Sequence, residues 1–179
     1  MKRLVPKVLA FILIGSASVS AFQGSTEWIK YESLEGRYSV QLPGQPKVST
    51  QETANASGDK FPQYLAGVSD RTGYYAVGYF DLTPGGTYSL DKGRDGIVDA
   101  VKGTLVSEAD ISLGGSPGRE LKLAVVGPDK LDYIVYGRVY QVDRRVYSLV
   151  FIIGKSDDNT EAAANSTKYF DSFKVTKAP

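Results

Sequence analysis

The chain has 179 residues, with 21 Lys and Arg against 20 Asp and Glu, and it contains neither histidine nor cysteine. Without those two residue types it lacks the commonest general base, the thiol nucleophile, His-rich zinc sites, Cys-ligated clusters and every disulfide. The charge balance is nearly neutral and the basic residues of the body are scattered, with only Arg144 and Arg145 adjacent. That excludes the one-sided basic excess of a nucleic-acid binder.

Lys2, Arg3 and Lys7 precede an apolar run from Val8 to Ile14. A membrane-spanning helix needs about 20 apolar residues, whereas the core of a secretory signal needs about 7–15 followed by small residues. Gly15, Ser16, Ala17 and Ser18 follow at once, and Val19 and Ala21 suit the two side-chain pockets of a signal peptidase. Residues 1–21 therefore read as a signal peptide cleaved after about Ala21, and residues 22–179 as one exported domain, periplasmic or secreted. No cysteine near the cut allows lipid attachment, and no later apolar run is long enough to anchor the mature chain. Removing three basic residues from the 21 leaves 18 against 20 acidic, a mature charge of about −2. With no disulfide, the domain has to be held by its core, and about 158 residues suffice for one.

In chain order, Tyr38, Val40 and Leu42 alternate with Ser39 and Gln41, which predicts a strand ended by Pro43, Gly44 and Pro46. Residues 48–53 can return as a second strand, and the polar stretch 54–60 reads as a loop. Residues 61–69 and 74–82 are rich in aromatic and β-branched residues, and Asp70-Arg71-Thr72-Gly73 between them predicts a hairpin. After the break at Thr83-Pro84-Gly85-Gly86, Leu90, Ile97, Val98, Val101 and Leu105 recur at helical spacing. Gly93, Gly96 and Gly103 weaken that helix by about 1 kcal/mol each, so it needs packing on a sheet. Residues 109–113, 119–126, 131–142 and 146–153 then read as strands joined by short turns, an antiparallel meander. A last helix is expected from an N-cap at Asp158 with Glu161 as its capping-box partner, its inner face carrying Ala163, Thr167 and Phe170. Phe173 and Val175 then return the tail to the body.

Gly36-Arg37-Tyr38-Ser39-Val40-Gln41-Leu42-Pro43 with Pro46, the hairpin ending Tyr79-Phe80-Asp81, the meander and the closing Tyr169-Phe170-Asp171-Ser172-Phe173 together resemble the PsbP-like family. That family includes the extrinsic PsbP protein of photosystem II and exported bacterial relatives. The resemblance covers most of the mature chain. It implies an α+β fold with a central antiparallel sheet flanked by helices, an α/β/α sandwich. The manganese and calcium retention linked to PsbP draws in part on histidines, which this chain lacks, so no metal and no cofactor are expected.

Gly114-Gly115-Ser116-Pro117-Gly118 matches the G-x-S-x-G of a nucleophile elbow in letters. An elbow leads from strand into helix and needs a histidine, whereas this segment leads into a strand, so a tight turn is expected. Asp157-Asp158-Asn159 lacks the glycine spacing of a calcium loop and reads as helix capping. Asp129 and Asp132 flank a turn and read as a solvated hairpin end. Tyrosine is the conspicuous residue, with twelve in the chain, among them Tyr64, Tyr74, Tyr75, Tyr79, Tyr133, Tyr136 and Tyr140 on predicted strands. Most can fill the sheet, but Tyr74 with Tyr75, and Tyr133 with Tyr136, point to opposite faces, which exposes some of them to protein partners or sugars. The expectation is an exported, non-catalytic binding or assembly module, not an enzyme, that engages a protein partner or small ligand through Tyr74, Tyr75, Tyr133 and Tyr136. Two alternatives stand beside it: a carboxylate-dependent exported hydrolase acting on glycans, and a structural envelope component.

Overall fold

The computed structural model describes residues 27–54 and 60–176. The expected signal peptide and its cleavage site lie outside the described residues. The chain runs β1 (Ile29–Ser33), β2 (Tyr38–Leu42), β3 (Lys47–Ala54), β4 (Lys60–Ser69), β5 (Tyr74–Asp81), α1 (Leu90–Val101), β6 (Thr104–Leu113), β7 (Ser116–Val126), β8 (Asp132–Val142), β9 (Arg145–Gly154), α2 (Thr160–Asp171) and β10 (Lys174–Val175). Seven strands form one antiparallel sheet in the order β3-β4-β5-β9-β8-β7-β6, and β1-β2-β10 form a second.

Alternation along the strands sorts the large sheet into two faces. The inner face carries Tyr75, Val77 and Tyr79 on β5 and Tyr147, Leu149, Phe151 and Ile153 on β9, which pack with Tyr38, Val40 and Leu42 of β2 and with Tyr169, Phe170 and Phe173. The outer face carries Leu123, Val125 and Val135, against which Ile97, Val98 and Val101 of α1 rest. Tyrosine is the main filler of the inner core. Tyr38, Tyr75, Tyr147 and Tyr169 are fully buried, Tyr75 stacks on Phe151 at 4.5 Å, and Tyr64 stacks on Tyr79 at 4.7 Å. Buried phenols need partners. Tyr147 donates to Gly36 O at 2.9 Å and Tyr169 to Ala76 O at 2.5 Å.

The expectation of a sheet flanked by helices in an α/β/α sandwich is corrected here. The described residues are mostly strand, with two helices, and the layer on the inner face is in large part the second sheet, with α2 beside it. Two pairings build that layer. β1 lies against β2 throughout, a strand that the sequence reading did not identify, and β10 joins β2 by pairing Lys174 with Ser39 and Val175 with Tyr38.

Local chemistry moved three boundaries. α2 is capped by Asn159, whose Oδ1 accepts from Glu161 N at 2.9 Å and Ala162 N at 3.1 Å, so Asp158 is freed for another task and no capping box forms. α1 begins at Ser89, whose hydroxyl accepts from Lys92 N, and stops at Lys102 in the left-handed region at φ 50°. Leu105 therefore belongs to β6, which begins at Thr104, five residues before the expected start. An L side chain in that region costs about 1 kcal/mol, which glycine avoids. Lys102→Gly is thus expected to stabilise the fold by about 1 kcal/mol in a thermal melt, and a lower melting temperature would mean that the lysine makes contacts outweighing its strain.

Candidate functional site

The β7–β8 connection is a stiff hairpin tip. Gly127 N–H donates to Leu131 O at 2.8 Å, Lys130 N–H donates to Gly127 O at 2.9 Å, and Lys130 adopts φ 67°. One carboxylate ties the tip together: Asp129 Oδ1 accepts from Leu131 N at 3.1 Å and Oδ2 accepts from the Tyr133 hydroxyl at 2.6 Å. These bonds, the tyrosine's first, hold the Asp129 carboxyl below its usual range, and the same carboxylate raises the Tyr133 phenol. The frame presents apolar groups to solvent, with Val126 65% and Leu131 60% exposed and Pro128 exposed between them.

Next to it on the inner face of β8, Tyr136 donates to Asp158 Oδ1 at 2.8 Å, and its ring rests on Phe151 at 6.2 Å. Lys122 on β7 reaches Asp158 Oδ2 at 3.1 Å and lies 4.8 Å from the Tyr136 ring centre. Burial alone raises a carboxyl, but here the Tyr136 and Lys122 bonds outweigh it and lower Asp158. Burial raises the Tyr136 phenol, and the bonds to Tyr136 and Asp158 raise the Lys122 ammonium. At the same end Lys155 pairs with Asp132 at 3.4 Å. The result is a preorganised rim with two half-exposed tyrosines, each fixed by its own aspartate, beside an apolar tip.

The four tyrosines named from sequence separate. Tyr133 and Tyr136 both lie at this end of β8, on opposite faces of the sheet. Tyr74 lies half-buried on the outer face, its ring over Gly67 of β4, and burial raises its phenol. Tyr75 has no exposed surface and belongs to the core between Phe151 and Tyr169, so it offers nothing to a surface ligand. Sequence reasoning missed Val126, Leu131 and Lys122. The signal for the first two was present as apolar residues immediately on either side of a polar turn.

Gly114 and Gly115, at φ 58° and 87°, form a two-residue hairpin, and Ser116 opens β7 opposite Leu113. Ser116 is therefore a strand residue. Among the described residues no group of three acidic side chains converges as an ion would require, and no helix is long and apolar enough to cross a membrane. The four carboxylates with shifted pKa among the described residues, Asp81, Glu108, Asp129 and Asp158, are all held below the usual carboxylate range.

No family model matches the chain, and no curated protein matches it. Solved structures do. The solution structure of cyanobacterial PsbP (CyanoP) from Synechocystis sp. PCC 6803 aligns over 90% of this chain and 99% of its own, with TM-score 0.58 and 12% identity. A Pseudomonas aeruginosa protein of unknown function, PA94, described as a putative regulator, aligns over 78% of this chain and 92% of its own at TM-score 0.45 and 9% identity. A Bacteroides thetaiotaomicron structure aligns over 83% of this chain and 48% of its own at TM-score 0.48 and 13% identity. The likeness to CyanoP joins the arrangement of the two sheets described above to one statement: the chain has a PsbP-like fold.

Proposed function

We propose that this chain is an exported relative of the PsbP-like proteins, cleaved after about Ala21, that works in the periplasm or outside the cell as a non-catalytic module binding a protein partner through the β7–β8 rim. The observation carrying this reading is the tip itself. Val126 and Leu131 are more than half exposed on a turn held rigid by Asp129 and Tyr133. Apolar side chains presented on a fixed frame bind with little loss of conformational entropy, and tyrosine beside them supplies area and a hydrogen-bonding hydroxyl. The hydrolase alternative draws no support from the carboxylates, because a general acid needs its pKa raised and the four shifted groups have theirs lowered.

The test is to express the chain with a C-terminal tag in its own host, capture it from envelope extract, and compare it with Leu131→Asp. The expected result is one stoichiometric partner on the parent chain, at least a tenfold loss on the variant, and a bait whose mass begins at Phe22. Equal recovery by both chains, or no stoichiometric partner, would sink the rim; a bait retaining Met1 would sink the export reading.

A further inference from the structure

The outer face of the sheet, away from the rim tyrosine Tyr136, contains a second feature. α1 carries two buried glycines, Gly96 and Gly93, the second covered by the Tyr88 side chain, and its Ile97, Val98 and Val101 are only partly buried. The strand opposite also withholds a side chain, at Gly137 of β8. Between them lies a hollow with walls of Ile97 on α1, Leu121 and Leu123 on β7, and Val135 and Val139 on β8. Ser148 of β9 is the sole polar side chain among the lining residues. Its hydroxyl is buried, with the residue 6% exposed, and it has no hydrogen-bond partner among the described residues. A buried hydroxyl without a partner costs about 1–3 kcal/mol, and a water placed beside it needs two to four polar partners where the lining side chains supply one.

We propose that this hollow is a binding site for a small apolar molecule carrying a single hydroxyl, with Ser148 holding the hydroxyl and the branched side chains enclosing the rest. The free space measures about 20 Å³, room for a single water-sized group. A six-carbon ring enters only when α1 lifts. The fastening of the helix decides where it lifts. Arg94 pairs with Glu108 of β6 at 2.8 Å and Asp91 with Arg119 of β7 at 3.0 Å, so its ion pairs lie on the β6–β7 side, and the β8–β9 side, where Ser148 sits, is held by Leu90 and Ile97 packed on the cluster of Phe80, Val139 and Val146. Opening on that apolar side exchanges the contacts of Ile97 for contacts with the ligand.

Phenol and benzene form a matched pair of probes, one with the hydroxyl and one without. In methyl NMR of the purified chain, phenol is expected to shift the Leu121, Val135 and Val139 methyls saturably, with a dissociation constant on the order of millimolar. Benzene is expected to bind about fivefold more weakly, the share of one hydrogen bond. Ser148→Ala should weaken phenol about fivefold and leave benzene unchanged. Gly137→Ala should weaken both, and it is compatible with the fold because the added Cβ meets Leu149 O at 3.7 Å, an ordinary contact. Silent lining methyls, unsaturable shifts spread over the surface, or phenol binding indifferent to Ser148→Ala would each overturn the proposal. None of these outcomes depends on the rim.

Discussion

Phe151→Ala is expected to lower the unfolding free energy by about 3–5 kcal/mol, the range for an aromatic side chain deleted from a core that relaxes incompletely. Phe151 has no exposed surface and stands on β9 between β5 and β8, the middle of the seven-stranded sheet. Its ring is stacked on Tyr75 at 4.5 Å and lies beneath Tyr136 at 6.2 Å. Neither strand is free to close the gap, because β9 is paired along its length on both sides. Urea unfolding followed by circular dichroism measures the change, and a loss below about 1 kcal/mol would show that the tyrosines re-pack into the space. Since the Tyr136 ring rests on Phe151, the same substitution should loosen the rim.

The second large effect belongs to Arg145. Its guanidinium is 8% exposed, grips Asp81 through Nε at 2.7 Å and Nη2 at 2.6 Å, and donates from Nη1 to Glu35 O at 2.7 Å. It also lies 4.5 Å above the Tyr79 ring. One side chain thus joins β5, β9 and the β1–β2 turn. Arg145→Met keeps the apolar stem and removes these bonds, with an expected loss of about 2–3 kcal/mol, below the full cost of a buried orphan charge because Asp81 is 54% exposed and rehydrates. The pH dependence has a definite sign. Hydrogen bonding to Arg145, before any other cause, lowers the Asp81 carboxyl beneath its ordinary 3.8. A carboxyl lowered by folding stabilises above its unfolded value, about 3.9, and ceases to as pH falls through the folded one. The difference between parent and variant is therefore full at pH 6 and shrinks below about pH 4. A difference constant down to pH 2 would assign the loss to packing alone.

Much of the large sheet was legible because its signals are local. The hairpin at residues 70–73 and the strands around 127–130 and 143–145 declare themselves through alternation and turn residues within a few positions. Leu105 was misassigned because it continues a helical spacing from Val101, while the left-handed Lys102 and Gly103 between them end the helix. The second sheet was missed for a different reason. β1 offers five residues of alternation, and β10 is two residues whose partners lie at the other end of the chain, which no local period connects. A layer built from such pairs was read as helical, and the sandwich of helices followed.

The site divides in the same way. That Tyr133 and Tyr136 stand at the end of a strand could be read from spacing, and so could the half-buried character of sheet tyrosines. Which aspartate holds each phenol could not: Asp129 is four residues from its tyrosine across a turn, and Asp158 is 22 residues from its own across β9. Nor could the buried setting of Tyr75, which depends on α2 lying over it.

The long-range closure of β2 also sets a timetable. Its neighbour β10 and the Phe173 that packs over Tyr38 are made long after β2 itself. A growing chain can assemble the hairpins of the large sheet early, yet Tyr38, Val40 and Leu42 have no complete layer to join until α2 and β10 have left the ribosome. Contacts so distant in sequence form slowly, and apolar surface left open meanwhile is what chaperones grip. The β2 layer is therefore completed by β10, and loss of β10 should harm the folding of the newborn chain more than two residues of strand would suggest.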